Sequence, residues 1–171
     1  YKYLQASSFS EADFRFAQSH LFITSFLYGL LRPSDKIHPY RMEAKVHLHA
    51  AEDQNMFAFW RSRLTDALIE AVKKDDGVLI HLATEEYEHL FDWKRVCREV
   101  KVVQPLFYVE KGDSMKVVSV YAKRCRGAMT RCIIQNKWHQ PDELLAFNEA
   151  GFSYQPHYGD ELHPHFIFKQ T

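Results

Sequence analysis

The chain has no excess of charge of either sign, because its 22 Lys and Arg residues cancel 22 Asp and Glu. A general polyanion binder is basic overall, so any nucleic-acid surface here must be a local patch offset by acid elsewhere. Glycine and proline are scarce, six of each in 171 residues, which excludes low-complexity organisation. Cysteine is limited to Cys97, Cys125 and Cys132, an odd number without a C-x-x-C pair. Cys125 and Cys132 stand two helical turns apart, about 10 Å, too far to bridge, and a reduced cytoplasmic setting fits best. No apolar run of membrane length, signal peptide or lipidation motif occurs, so a soluble protein with no membrane partner is expected. Nucleophile motifs, a Walker loop and a dinucleotide fingerprint are also missing, and nothing calls for a cofactor. Aromatic residues, by contrast, are plentiful at 15%, and with this length they describe one well-packed domain over 1–171. The chain opens at Tyr1, without Met and close to a patterned segment, as a fragment lacking its amino-terminal part would.

The most unusual stretch is Ser119 to Arg131, a β-rich run that turns helical and delivers Lys123, Arg124, Arg126 and Arg131. At about 100° per residue, Lys123, Arg126 and Gly127 share one face while Arg124 and Arg131 share another. Helix starts favour Asp or Glu because the dipole already places positive charge there. Cations crowded at such a start fit an anion site, phosphate first, or a solvated basic face paired with acidic neighbours.

Ser10-Glu11-Ala12-Asp13 reads as an N-cap and acidic first turn, and the apolar spacing predicts a helix over 10–28, stopped by Gly29. Two loops stiffened by Pro33 and Pro39 then present Arg32, Asp35, Tyr40, Arg41 and Glu43, either as functional groups or as self-paired loop charges. Residues 44–49 alternate as a short strand with Lys45, His47 and His49 on one face, a solvent edge or part of a metal site. Asn55 caps a predicted amphipathic helix over 56–73 with Phe57, Trp60, Leu64, Leu68 and Val72 buried. Val78 to Ala83 reads as a strand covered on both faces, leading to a short helix capped by Thr84. Open α/β sheets place ligands at such carboxyl ends, which makes His81 and Glu86 secondary candidates. Strands over 101–110 and 115–121, joined by Lys111-Gly112-Asp113-Ser114, feed the basic helix, which is expected to reach Lys137 with Ala128, Cys132 and Gln135 inward. A short helix begins at Pro141 and ends near Phe147; the tail carries His157, His163 and His165 before a last strand over 166–168. The expected fold is α/β (mixed α+β): a central mixed sheet with a β-hairpin leading into a basic helix, flanked by amphipathic helices.

The ordered run of Leu27 to Asp35, His38 to Glu43, Leu82 to Tyr87 and Ser119 to Arg131, with Phe9 to Phe14 and Phe147 to Phe152, resembles the bacterial peroxide-stress protein YaaA family. The resemblance implies a cytoplasmic mixed α/β protein of the hydrogen peroxide response. Such a protein limits free intracellular iron, protects DNA from oxidative damage and binds double-stranded DNA through a basic cleft. Carried over by motif, Arg32, Tyr40, Arg41, Lys123, Arg126 and Arg131 are the positions for that cleft, with Arg124 beside them. Two departures stand out. Family proteins begin with a Ser-Pro-Ala-Lys-Thr-like opening not seen here, and they carry Asn where His81 stands and Gly after the Arg-x-Glu element. A different class of function, an enzyme on a small phosphorylated or nucleobase-like substrate, would use Arg32, Arg41, Lys123 and Arg126 as anion clamps and Glu43 or Glu86 as general base. Direct iron binding by the histidines is a third reading, and no ligand set of metal spacing supports it, so no metal is expected.

Overall fold

The computed structural model describes residues 2–49, 53–112 and 114–169, with Asp113 of the expected turn outside the described residues. Two compact units form: the first contains residues 1–17, 80–82 and 103–171, the second 18–79 and 83–102. The class is mixed α/β, as the periodicities predict.

The first unit is built on a five-stranded mixed sheet in the order β8-β7-β11-β10-β9. Its strands are β7 (Leu106–Lys111), β8 (Ser114–Lys116), β9 (Asn148–Glu149), β10 (Phe152–Gly159) and β11 (Pro164–Lys169). β7 and β11 run parallel with Phe107 opposite Phe166, and all other pairings are antiparallel. Side chains alternate across a strand, so Phe107, Val109 and Phe166 point to one face, where Phe107 stacks on Phe166 at 5.5 Å and Phe147 meets Phe166 edge-on. The hairpin β7–β8 leads into α4 (Ser119–Asn136), which buries Ala122, Cys125, Ala128, Met129 and Ile134. α4 starts three residues earlier than a strand to Tyr121 would allow, and Cys132 is half-buried while Gln135 is exposed. β10 was hidden in the sequence because His157 and Pro156 obscure the alternation; its outer half is exposed and needs no apolar stripe.

Helix α1 (Glu11–His20) starts where expected. Ser10 Oγ accepts from the Asp13 amide at 3.2 Å and Asp13 Oδ2 accepts from the Ser10 amide at 2.9 Å, a reciprocal cap. It ends at His20, well short of the predicted residue 28. The following β-branched Ile23 and Thr24 instead form β1 (Ile23–Ser25), paired antiparallel with β2 (Gly29–Leu31). Gly29 turns the chain with φ +74°, and the Trp60 ring lies so close that a Cβ there would touch it at 3.0 Å.

The second unit also holds the short pair β3 (His47–Leu48) and β4 (Gln54–Asn55), followed by α2 (Met56–Lys74), whose Asn55 Oδ1 accepts from the Ala58 amide at 2.9 Å. Strand β3 is two residues rather than six, because residues 44–46 turn. The core of this unit gathers Leu64, Leu68, Ile69 and Val72 of α2 around Phe26, Leu90, Phe91 and Val96, with Phe57 and Trp60 half-buried against it. Helix α3 (Trp93–Glu99), unexpected from the sequence, is capped by Asp92 Oδ1 on the Arg95 amide. β5 (Val78–Ile80) pairs with β6 (Lys101–Val103); it is three residues long and half-buried, not fully covered. Residues Glu85–Leu90 form a 3-10 turn after Thr84.

Candidate functional site

Helix α4 carries no Asp or Glu in its 18 residues, and Val118 at its N-cap offers no side-chain acceptor. The first turn, Ser119–Ala122, carries no charge; Lys123, Arg124 and Arg126 follow in the next turn, and Arg131 stands in the second half of the helix. Their environments differ. Lys123 and Arg124 are exposed, while Arg126 is half-buried. Gly127 and Arg124 belong to the face covered by Lys2–Leu4: a Cβ on Gly127 would meet Tyr3 at 3.0 Å, and Arg124 stands 6.0 Å from the Tyr3 ring. Arg131 lies on that same face. Its guanidinium donates to the Tyr3 carbonyl at 2.9 Å and pairs with Glu149, whose other oxygen accepts from Cys132 Sγ at 3.2 Å. Only 14% of the Arg131 side chain is exposed. The basic helix thus divides its charges, Arg131 bracing the amino-terminal segment while Lys123 and Arg124 are exposed to solvent.

His81 and Arg126 come together within the first unit. His81 is 8% exposed, its amide donates to Val103 O at 2.8 Å, and burial followed by the Arg126 charge pulls its pKa down to about 4. The imidazole is therefore neutral at physiological pH and can accept a proton or a hydrogen bond.

The other sequence candidates belong to the second unit. Arg32 lies 3.6 Å from the centre of the Phe22 ring, and its guanidinium donates to Ser19 O at 3.1 Å and Leu21 O at 3.4 Å, at the carboxyl end of α1. A cation there complements the negative end of the helix dipole, and burial lowers its pKa. Its amide donates to Asp35 Oδ2 at 2.8 Å, so the loop holds itself in shape. Tyr40 Oη lies 2.5 Å from Ser25 Oγ, which also accepts from the Tyr28 amide at 2.9 Å. Tyr28 Oη in turn accepts from the His38 amide at 3.2 Å. This network pins the loop 33–44 to the β1–β2 turn and presents Arg41 and Glu43, both exposed. Glu86 is exposed on its 3-10 turn.

Ser25, 3% exposed, was missed by sequence reasoning; a Ser three residues before a turn Tyr is the signal that marks it. Replacing Ser25 by Ala is expected to cost about 1 kcal/mol and to raise amide exchange across residues 33–44. Unchanged exchange there would mean the hydroxyl does not hold the loop.

Elsewhere, a surface groove of ≈ 410 Å³ between α2 and α3 is lined by Arg61, Thr65, Asp66, Asp92 and Arg95. Arg95 there bonds Asp66 and also Glu99, each at 2.7 Å. The β3–β4 histidines turn to Asp53, with His47 Nδ1 2.7 Å from Asp53 O and His49 Nδ1 3.0 Å from Asp53 Oδ1. Among the described residues, no group of three or more His, Cys, Asp or Glu forms a metal-binding set. His163 bonds Asp160, and His165 leaves a buried Nδ1 without a partner beside Tyr108. Burial pushes the Cys125 and Cys132 thiols up to about 12, Glu149 adding to the effect at Cys132, and burial also raises Cys97. These thiols are protonated and poorly nucleophilic. No described helix is long and apolar enough to cross a membrane.

The comparisons with known proteins converge. The family model described as "Peroxide stress protein YaaA" matches residues 1–158. A "UPF0246 protein" of Bacteroides thetaiotaomicron is 47% identical over 161 residues, 94% of this chain and 63% of that protein. Those of Phocaeicola vulgatus and Porphyromonas gingivalis are 46% and 45% identical over 98% and 99% of the chain, and 65% and 66% of their own length. The chain therefore spans less than two thirds of these relatives.

Proposed function

This chain belongs to the peroxide stress protein YaaA family, and from that premise we propose that it acts in the cytoplasm, protecting DNA and limiting free iron during peroxide stress by binding double-stranded DNA through α4. The observation that carries this reading is an acid-free helix of 18 residues whose amino-terminal half exposes Lys123 and Arg124 and holds Arg126 one turn on. Phosphate oxygens supply the negative charge that the helix start lacks. Zero net charge sets the strength: binding is a local neutralisation of a few phosphates, of moderate affinity and steeply dependent on salt.

Anisotropy of a labelled duplex at several salt concentrations tests the reading. Lys123→Ala/Arg124→Ala together should weaken binding about tenfold and lower the slope of log K against log salt by about 2, since each phosphate contact contributes roughly 0.9. Binding that is unchanged in this variant removes α4 from the interface. No binding even at low salt would favour a small anionic ligand instead.

A further inference from the structure

Among the described residues twelve large apolar side chains are exposed, and Val117 at 58% and Val120 at 67% are the most exposed of them. Helical geometry sorts what lies around this pair. Tyr121 turns its ring toward Phe152 and Phe168, with centroids 6.2 and 6.1 Å apart, and Ala122 and Cys125 are buried, so this face of α4 sits on the sheet of the first unit. At about 100° per residue Val120 stands on the opposite face, in line with Lys123 and Arg124 three and four positions on. All three are exposed. The face changes character one turn later, where Gly127 and Arg131 are covered by Lys2–Leu4. The open part of α4 is therefore small and mixed: an apolar tip, Val120 with Val117 before it, and two cations immediately behind. Lys116, ahead of the tip, is exposed as well.

Two other occupants fit this tip less well than DNA. A second copy would bring Lys116, Lys123 and Arg124 against the same cations. A lipid surface would gain little, because two valines bury far less than one acyl chain, which by itself holds a membrane only marginally. Duplex DNA offers both complements at once, phosphates for the cations and, between them, base pairs whose stacked faces are apolar. Proteins kink the duplex by pushing an apolar side chain into a base step from the minor groove. That groove is about 6 Å wide, so side chains as long as Lys and Arg, one helical turn behind an inserted valine, reach the phosphates along its walls. A β-branched side chain suits the insertion, because it is stiff at χ1 and loses little freedom when enclosed. We propose that Val120, supported by Val117, is such a wedge: it enters a base step of the bound duplex while Lys123 and Arg124 hold the neighbouring phosphates, and the chain thereby selects DNA with easily unstacked pyrimidine–purine steps. The wedge rests on the proposed binding of duplex DNA by α4 and deepens it, since phosphate contacts alone carry no sequence preference. Unstacking is easiest at TA and CA/TG steps, which is where the wedge enters.

The test uses two duplexes of equal length and charge, one with a central TA step carrying 2-aminopurine as its adenine, the other an uninterrupted A-tract carrying the same base. Binding is expected to raise the fluorescence of the TA duplex about threefold and to favour it about fivefold over the stiff A-tract. Val117→Ser/Val120→Ser should keep the slope of log K against log salt, since no cation is lost, and abolish both the fluorescence rise and the preference. Its melting should match that of the parent, because both sites are already exposed. Val120→Leu, a longer wedge, should raise the fluorescence beyond the parent's. Salt-dependent binding with equal affinity for the two duplexes and no fluorescence change overturns the wedge and leaves the phosphate contacts standing. So does a serine variant that behaves as the parent. Absence of binding to either duplex at low salt overturns the proposed DNA binding itself, and the wedge with it. Sedimentation with phosphatidylglycerol vesicles that the serine variant loses, without a fluorescence rise on DNA, would identify a lipid surface as the occupant and also overturns the wedge.

Discussion

Arg131→Ala is expected to destabilise the chain by about 2 kcal/mol, the cost of leaving the half-buried Glu149 without its charged partner, while leaving duplex DNA affinity within about twofold of the parent. The argument rests on where the guanidinium is spent. It donates to the Tyr3 carbonyl and pairs with Glu149, which lies on the short edge strand β9 and also accepts from Cys132. Removing it strands Glu149 beside an uncharged thiol and releases the backbone of Lys2–Leu4 from the Gly127 face of α4. Glu149→Gln, which keeps an acceptor and loses only the charge, should cost less than Arg131→Ala. Denaturant unfolding reads the stability and anisotropy reads the affinity. A stability loss under 1 kcal/mol accompanied by a tenfold fall in affinity would return Arg131 to the phosphate-contacting set.

Stability should also fall as the pH is lowered from about 6.5 to about 4, and His81 is the main cause. The folded protein holds this imidazole neutral with a pKa of about 4, against an ordinary value of 6.5, through burial and then the Arg126 charge. Between those values the unfolded chain binds the extra proton and the folded chain does not, so acid favours unfolding across that window. Two and a half pH units at 1.36 kcal/mol each amount to about 3 kcal/mol. The contribution is fully present above pH 6.5 and spent below pH 4. Burial lowers the His165 pKa in the same direction, so the measurement is the difference between the parent and His81→Asn, the residue that the family resemblance places here. Asp13 and Glu99, held down to about 2 chiefly by Lys137 and Lys73, lose their contributions at lower pH. If the two pH profiles run parallel from 6.5 to 4, His81 is not held neutral by the fold.

Local chemistry made several elements legible in advance. The Ser10 cap, the Asn55 cap of α2, the β-hairpin and the basic helix after it are all written in short-range patterns that the structure keeps. The overrun of α1 shows the weakness of such patterns. Residues 21–28 carry helical spacing, yet Ile23 and Thr24 gain more by pairing with Leu31 and Leu30 across a glycine turn. Helix α3 escaped because seven residues hold too few apolar positions to show a period. The candidate residues divide in the same way. That α4 carries uncompensated cations follows from its composition alone, but which of them is free depends on residues far away in the chain.

What the sequence by itself determined is the α/β class, the family, and an acid-free basic helix following a hairpin, because each is set by neighbours within a few turns or by motifs in order. Only the tertiary structure decided that Arg131 braces Tyr3 and Glu149, that Arg32 closes the end of α1, that His81 lies buried beside Arg126, and that Val117 and Val120 stand uncovered at the start of α4. A guanidinium or an imidazole takes its role from burial and from partners up to 128 positions away along the chain, and no periodicity encodes that distance.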